Sequence, residues 1–280
     1  FFFKQKTAYE ISTRDWSSDV CSSDLPLTRT RVLLWHTTLF PSRKSGMTPI
    51  RTGEWRDDSN GPMQVVSGPI GRERIHFEAP SATRLEAEMQ TFLKWFEGET
   101  EIDPVLKAGL AHFWFVTLHP FDDGNGRIAR AIADLALARS EHSAQRFYSM
   151  SAQIRLERKA YYEKLETCQK GDLDVTEWLL WFLGCLDRAI SASAETLAAI
   201  MAKARFWDRH AGTTLNARQI TILNRMLDGF DGKLTTSKWA AICKCSRDTA
   251  LRDIDDLICR KILVKEHGGG RSTSYSVSTA

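Results

Sequence analysis

Long apolar runs are missing from this sequence of 280 residues. No stretch approaches the roughly 18 to 20 apolar residues that a membrane-spanning helix needs, and the three opening phenylalanines are far too short for the core of a signal peptide. A hydrophobic share of 42% with 26% charged residues is ordinary for a globular chain. We therefore expect a cytoplasmic protein with no membrane partner.

Cysteine pairs at metal-binding spacing are also missing. The six cysteines include no C-x-x-C pair and have no histidine at zinc-finger spacing, which argues against a disulfide framework or a structural zinc site. The net charge of +3 is small as well, so composition by itself does not indicate nucleic-acid binding. Any such function must come from local clusters of charge.

The first 25 residues differ in character from the rest. The stretch 4–25 resembles the conceptual translation of a sequencing-library adapter with an index between its halves, in a single reading frame. The alternative is a genuine polar N-terminal arm. We assign residues 1–25 to such an artefact, without fixed structure, and expect the natural N-terminus to lie upstream of Pro26.

The remaining sequence has mostly helical apolar spacing. It predicts helices over 31–40, 80–96, 104–118, 125–140, 149–170 and 175–210, the last with a break near 191–193. Over 63–77, β-branched residues around a polar, glycine-containing tip predict a hairpin. The helix at 104–118 is apolar on nearly every side, so it should cross the middle of the domain and hold His119 in place. We expect a mostly α fold, with a helical core and hairpin flap at 26–211 and a separate small domain at 212–280.

The run His-Pro-Phe-Asp-Asp-Gly-Asn-Gly-Arg-Ile-Ala-Arg follows that buried helix. Gly124, Asn125 and Gly126 allow the backbone to turn successive N–H groups into a concave anion nest at the positive end of a helix dipole. Arg127 and Arg130 are three residues apart on one helical face, where both can hold further phosphate oxygens. These residues predict a binding site for a triphosphate.

His119 and Asp123 place reactive groups beside this nest. With an unperturbed pKa of about 6.5, an imidazole accepts a hydroxyl proton at neutral pH. A carboxylate next to bound phosphates suits Mg²⁺, because the ion keeps most of its waters and is shared with phosphate oxygens. A plain connecting loop would explain the glycines, but it leaves the histidine, the aspartate and two arginines at these spacings unexplained.

This run resembles the active-site motif of the Fic family at every fixed position of His-Pro-Phe-x-(Asp/Glu)-Gly-Asn-Gly-Arg-x-x-Arg, and the similarity extends over about 27–210. The resemblance implies a nucleotidyltransferase of the Fic-type helical bundle. In that role His119 deprotonates a target hydroxyl, Asp123 binds Mg²⁺, and the nest and arginines hold ATP while AMP is transferred and pyrophosphate leaves. Arg127 favours this branch over the Fic-like phosphotransferases, which usually have Lys there. The inhibitory helix (Ser/Thr)-x-x-x-Glu-(Gly/Asn) of many relatives does not occur in this sequence. If the protein has one, it lies in the N-terminal part that is missing here, and we expect Arg130 to be unrestrained in the sequence as given.

The resemblance also implies roles outside the motif. Family members align their target by backbone pairing with a hairpin flap. The flap residues would be Arg74, Ile75, His76 and Phe77. The residues near the nucleotide base would be Tyr161, Tyr162 and Gln169, where Gln replaces the more familiar Asn. Packing in the helical core explains the two tyrosines equally well.

The C-terminal part has a different pattern. Helical segments at 217–227, 235–242 and 246–260 and a glycine-tipped hairpin at 261–277 resemble a winged helix-turn-helix. Within 214–280 eleven Lys and Arg stand against seven Asp and Glu, a net charge of +4, which is in keeping with phosphate contact. The residues predicted to contact DNA are Ser246, Arg247, Thr249 and Arg252 in the recognition helix and Arg271 in the wing. Winged helices also dock proteins, so fold alone does not fix this function.

Two other functions stay open at the level of sequence. Because the nest recognises phosphate rather than base, an enzyme of the same fold could transfer UMP or phosphocholine. A non-enzymatic regulator could bind DNA and only sense nucleotide, although the intact His119 argues against it. The expected partners are ATP, a hydroxyl-bearing target protein or the chain itself, and DNA, and a homodimer is left open.

Overall fold

The computed structural model describes residues 24–59, 61–69, 72–143, 146–266 and 273–278. The chain divides into two compact units, one ending at Ser193 and the other beginning at Ala194. This division lies upstream of the predicted boundary at 211/212, because Phe206 belongs to the apolar core of the second unit. Most of the described residues are helical, as predicted, and nearly all of the predicted artefact at 1–25 lies outside the described part.

Helices make up most of the first unit. In chain order they are α1 (Arg29–Leu39), α2 (Ala82–Glu97), α3 (Pro104–Leu118), α4 (Asn125–Ser140), α5 (Met150–Leu156), α6 (Arg158–Lys170) and α7 (Thr176–Arg209), which continues into the second unit. The single helix predicted over 149–170 is two helices, because Glu157 (φ −101°, ψ 24°) leaves the helical conformation between them. The break predicted near 191–193 does not occur, since α7 is continuous through these described residues. No helix in the described part of the chain combines the length and apolarity needed to cross a membrane.

Helix α3 lies in the core, as its apolar sequence predicts. Pro104 occupies its first turn and the Asp103 side chain accepts a first-turn N–H at 2.8 Å, which together set the start of the helix. A Cβ at Gly109 would come within 3.0 Å of Phe182, so glycine allows α7 to approach closely, and the Trp178 indole donates to the Gly109 carbonyl at 2.8 Å. Buried packing at Gly109 therefore holds α3 close against α7.

Two antiparallel hairpins accompany the helices of the first unit. Strand β1 (Lys44–Ser45) pairs with β2 (Thr48–Pro49), and β3 (Gln64–Ser67) pairs with β4 (Arg74–Glu78). The second hairpin is the predicted flap. The first was not predicted, because two-residue strands leave no alternation of polar and apolar residues to detect.

The second unit contains three further helices and three short strands among its described residues. They are α8 (Ala217–Leu227), β5 (Leu234–Thr235), α9 (Thr236–Cys243), α10 (Arg247–Cys259), β6 (Leu263–Lys265) and β7 (Ser274–Val277). The strands form an antiparallel sheet in the order β5-β7-β6. Asn216 and Gln219 form a reciprocal capping box at the start of α8, and Trp239 and Ile254 are fully buried in the core of this unit.

Candidate active site

His119 follows α3 in a left-handed conformation, with φ 49° and ψ 57°, which is uncommon for a residue with a side chain. Its Nδ1 lies 3.1 Å from the Val116 carbonyl oxygen. Because a carbonyl oxygen only accepts, the ring carries its proton on Nδ1 and keeps a free lone pair on Nε2. Burial lowers the pKa of His119 to about 4. The ring is therefore a neutral base at physiological pH.

Asn125 braces the loop that follows His119. Its amide Nδ2 donates to the Phe121 carbonyl at 2.7 Å, and its Oδ1 accepts the Phe121 N–H at 3.0 Å. Both residues are buried, so neither backbone group of Phe121 is left without a partner. The asparagine that was predicted as part of the nest thus also holds the catalytic loop in shape.

His36 supports the same loop from α1, a role that the sequence did not reveal. Its ring is buried and stacks on Phe121 with centroids 3.9 Å apart. Nε2 donates to the Asp123 carbonyl at 3.1 Å, and Nδ1 accepts the Gly53 N–H at 3.3 Å. Burial lowers the pKa of His36 to about 4, which keeps the ring in the neutral form that these two bonds require.

Gly124 makes the turn from the loop into α4. It has φ +88°, and a Cβ there would come within 2.8 Å of the Phe40 ring, so both conformation and space require glycine. The predicted unusual backbone is confined to this residue, since Gly126 lies inside the helix. A Cβ on Gly126 would be in ordinary contact, 3.6 Å from Arg130 Nη1. Within the described part of the chain, the N–H groups of Asn125 and Gly126 have no acceptor, as expected for the first turn of a helix.

The two motif arginines lie beside these free N–H groups. Arg127 packs over the Phe40 ring at 4.5 Å, and its Nη2 is 3.7 Å from Asp123 Oδ2. Its Nε is buried without a hydrogen-bond partner among the described residues. Arg130 makes no ion pair with any described carboxylate. An orphaned guanidinium nitrogen next to unfilled N–H donors is what a site for an anion provides.

Asp123 is the acidic residue of the site. Its Oδ1 accepts the Gly124 N–H at 2.6 Å and its Oδ2 accepts the hydroxyl of Ser45, which lies in the unpredicted strand β1. The carboxylate remains 38% exposed, so it can still bind a ligand from solvent. No group of three or more His, Cys, Asp or Glu in the described ranges could hold a metal ion without further ligands.

The three residues predicted near the nucleotide base lie in different surroundings. Tyr161 is buried, and its hydroxyl lies 3.1 Å from Nε2 of the buried His112, so it belongs to the core. Tyr162 is 42% exposed, with its ring against Tyr161 and under Arg158. Gln169 donates to the Thr117 hydroxyl in the last turn of α3 at 3.1 Å. The core-packing interpretation therefore describes Tyr161, while Tyr162 keeps part of its side chain exposed.

The predicted flap residues are anchored on α6. Arg74 and His76 both bind Glu166, at 2.9 Å and 2.6 Å, and Lys170 binds the same carboxylate at 2.6 Å. Ile75 is half exposed, and Phe77 pairs with a residue of β3. Among the described residues β4 pairs only with β3, so its outer edge is open to another extended segment.

The residues predicted to contact DNA begin α10 in the second unit. Ser246 and Thr249 are engaged in the helix cap, with the Ser246 hydroxyl accepting the Thr249 N–H at 3.1 Å. Arg247 and Arg252 are exposed. Arg271 lies outside the described residues.

The first unit is thus helical, with a neutral histidine ring at the end of α3 and, at the start of α4, N–H groups that have no acceptor among the described residues. Residues 26–137 match the family model described as Fic/DOC family. This part of the chain is a Fic domain.

Two relatives match part of the chain. The chain is 34% identical to "Protein adenylyltransferase fic-1" of Caenorhabditis elegans over 114 residues, which are 39% of this chain and 21% of that protein. It is 33% identical to "Protein adenylyltransferase Fic" of Drosophila melanogaster over 127 residues, or 45% of this chain and 22% of that protein. The chain thus spans about a fifth of the length of these relatives.

A solved structure is similar over more of the chain. The crystal structure of a Fic family protein from Desulfovibrio desulfuricans G20 superimposes with a TM-score of 0.51 at 21% sequence identity, covering 94% of this chain and 73% of that one. At this level of identity, the similarity concerns the fold.

Proposed function

We propose that this chain is a protein adenylyltransferase, which transfers AMP from ATP to a hydroxyl group of a target protein or of the chain itself. The observation that carries the proposal is the free Nε2 lone pair of His119 near the start of α4. Among the described residues, the first N–H groups of that helix have no acceptor and Arg127 Nε has no hydrogen-bond partner. A proton acceptor and an anion site are the two groups that this reaction needs. The names of the relatives point to the same activity.

The proposed reaction is one displacement at phosphorus. His119 Nε2 takes the proton of the target hydroxyl while the hydroxyl oxygen forms a bond to the α-phosphorus of ATP. The bond from this phosphorus to the bridging oxygen breaks, and pyrophosphate leaves with the electron pair. The N–H groups of Asn125 and Gly126, with Arg127 and Arg130, are placed to bind the charged phosphate oxygens.

Asp123 fits a role as the protein ligand of Mg²⁺. Its carboxylate is partly exposed and is oriented by Ser45 and Gly124, and one carboxylate with substrate phosphates is a usual environment for this ion. Bound there, the ion would neutralise phosphate charge. The exposed ring of Tyr162 is the best placed of the predicted base contacts, since Tyr161 is in the core.

The test is incorporation of α-labelled ATP by the chain with Mg²⁺, in parallel with His119→Ala. We expect label on the wild type and about 10² to 10⁴ times less on the variant. Mass spectrometry after reaction with ATP, UTP and CDP-choline together then identifies the transferred group. An AMP adduct supports the proposal, a UMP or phosphocholine adduct contradicts its substrate, and no adduct at all would favour the nucleotide-sensing regulator.

We also propose that residues 212–280 form a winged helix-turn-helix that contacts DNA. The support is the pair of exposed arginines, Arg247 and Arg252, at the start of α10. Fluorescence anisotropy of labelled duplex DNA with the whole chain should show binding that weakens with salt and with Arg247→Ala plus Arg252→Ala. Equal binding by the double variant would contradict DNA contact through these arginines and would favour a protein-docking role.

A further inference from the structure

Arg56 is a fully buried arginine in the loop between β2 and β3, with a side chain that is 0% exposed. Its Nε donates to the His119 carbonyl at 2.8 Å, its Nη1 donates to Asp58 at 2.8 Å, and its Nη2 donates to the Pro80 carbonyl. A buried charge is costly unless it is paired and hydrogen-bonded, and each of the three guanidinium nitrogens here has a partner. Sequence reasoning missed Arg56, because an arginine among acidic loop residues is typical of an exposed position.

These contacts connect the base to the flap. Pro80 lies two residues after the end of β4, and the Ala79 N–H between them donates to the Met63 carbonyl, just before β3, at 2.9 Å. The backbone N–H of Arg56 donates to the Pro120 carbonyl, also at 2.9 Å. Arg56 therefore binds both the loop that carries His119 and the chain next to the open end of the flap hairpin.

The conformation of His119 needs such support. A left-handed conformation at a residue other than glycine costs about 1–3 kcal/mol and persists only where the surroundings hold it. At His119 this conformation directs the carbonyl to which the Arg56 guanidinium donates. We propose that Arg56 is a positioning residue, which fixes the base His119 relative to the flap so that a hydroxyl aligned on β4 meets Nε2. This inference rests on the proposed function.

The anion nest has separate supports. His36 binds the Asp123 carbonyl and Asn125 binds both backbone groups of Phe121. Among the described residues, the contacts of Arg56 with this loop are instead at the His119 and Pro120 carbonyls. Loss of Arg56 should therefore displace the base and leave the phosphate site in place. We therefore expect the transfer rate to fall while the affinity for ATP is kept. A general loss of structure would lower both.

The experiment measures the rate of self-incorporation of α-labelled ATP and, by calorimetry, the affinity for ATP. Arg56→Lys keeps the charge but cannot reach three acceptors, and Arg56→Ala allows rescue by added methylguanidinium. Arg84→Ala is the matched control, because Arg84 is an exposed arginine on α2 that pairs only with Glu88. For Arg56→Lys we expect a rate about 100-fold lower, since misplacement by about 1 Å costs this much, with ATP affinity close to wild type. Methylguanidinium should restore part of the rate of Arg56→Ala.

The outcomes separate the two proposals. An inactive wild type would overturn the proposed function and this inference with it. An active wild type with an equally active Arg56→Lys would overturn the inference alone. Parallel loss of rate and ATP affinity in Arg56→Lys would also overturn it, because that pattern indicates general structural damage. If Arg56→Ala does not fold, the rate and ATP affinity of Arg56→Lys still test the inference.

Discussion

Acid should destabilise this protein through two buried, neutral histidines. His36 and His112 are both 0% exposed. Burial lowers the pKa of His36 to about 4, and burial together with the charge of Arg130 lowers the pKa of His112 to about 3. In the unfolded chain an imidazole has a pKa of about 6.5. Through these two residues the unfolded state binds two protons that the folded state does not bind, over the range from about pH 6.5 down to about pH 4, and His119, whose pKa burial also lowers to about 4, adds a third.

The size of the effect follows from these pKa values. Stability rises with pH wherever the unfolded state binds more protons, so the stabilisation is complete above about pH 6.5 and is lost as the pH falls below it. At about pH 5 the proton bound by each unfolded ring is worth about 2 kcal/mol, or about 4 kcal/mol for both. That is a large part of the roughly 5–15 kcal/mol that stabilises a typical domain.

Urea unfolding followed by tryptophan fluorescence at about pH 8 and about pH 5 measures this difference. Trp178 reports directly, because its ring lies 5.2 Å from His112. His36→Gln and His112→Gln should each reduce the loss of unfolding free energy on acidification by about 2 kcal/mol, and the double variant by about 4 kcal/mol. Met89→Leu, a buried swap of similar volume, should change stability without changing its pH dependence. Equal pH dependence in the wild type and the double variant would refute the reasoning.

Two further predictions concern the nest and the flap. Gly124→Ala, with φ +88° and a Cβ 2.8 Å from a ring carbon, should lose about 1–3 kcal/mol of unfolding free energy in urea, whereas Gly126→Ala, its control inside the helix, should lose little; equal losses would contradict the assigned conformations. At Glu166, hydrogen bonds from Lys170, His76 and Arg74 lower the pKa to about 2 and keep it charged. Glu166→Gln should therefore speed amide hydrogen exchange in β3 and β4, whereas Glu163→Gln, an exposed control on the same helix, should not. Unchanged exchange in β3 and β4 of Glu166→Gln would show that other contacts anchor the flap.

The sequence predicted the bounds of those helices whose starts are set by residues at the helix end itself. The bounds of α3 and α4 agree with the prediction because Asp103, Pro104 and Gly124 set helix starts by capping and backbone conformation. The interruption at Glu157 was missed, since nothing in its neighbours disfavours a helix and apolar residues keep their spacing on both sides of it. The division between the two compact units, at Ser193 and Ala194, has no break in α7 to mark it in the sequence.

The supports of the site could not be predicted for a different reason. His36, Ser45 and Arg56 act on residues 63 to 87 positions further along the chain, and no spacing rule connects residues so far apart. Each also has a common alternative role, as a core histidine, a loop serine or a surface arginine. Only the three-dimensional structure shows which carbonyl or carboxylate each one meets.

The site also places several positive groups close together. Arg127 is buried with one unpartnered nitrogen and Arg130 pairs with no described carboxylate, whereas Arg56, which lies against the His119 carbonyl, is paired with Asp58. Burial is the main cause that lowers the pKa of His119, and the charge of Arg56 adds to it, so that the base stays uncharged among these cations. A neutral ring adds no repulsion, and Asp123 offsets only part of the arginine charge. The geometry therefore favours a ligand that brings several negative charges at once, which a triphosphate does and a sugar or neutral metabolite does not.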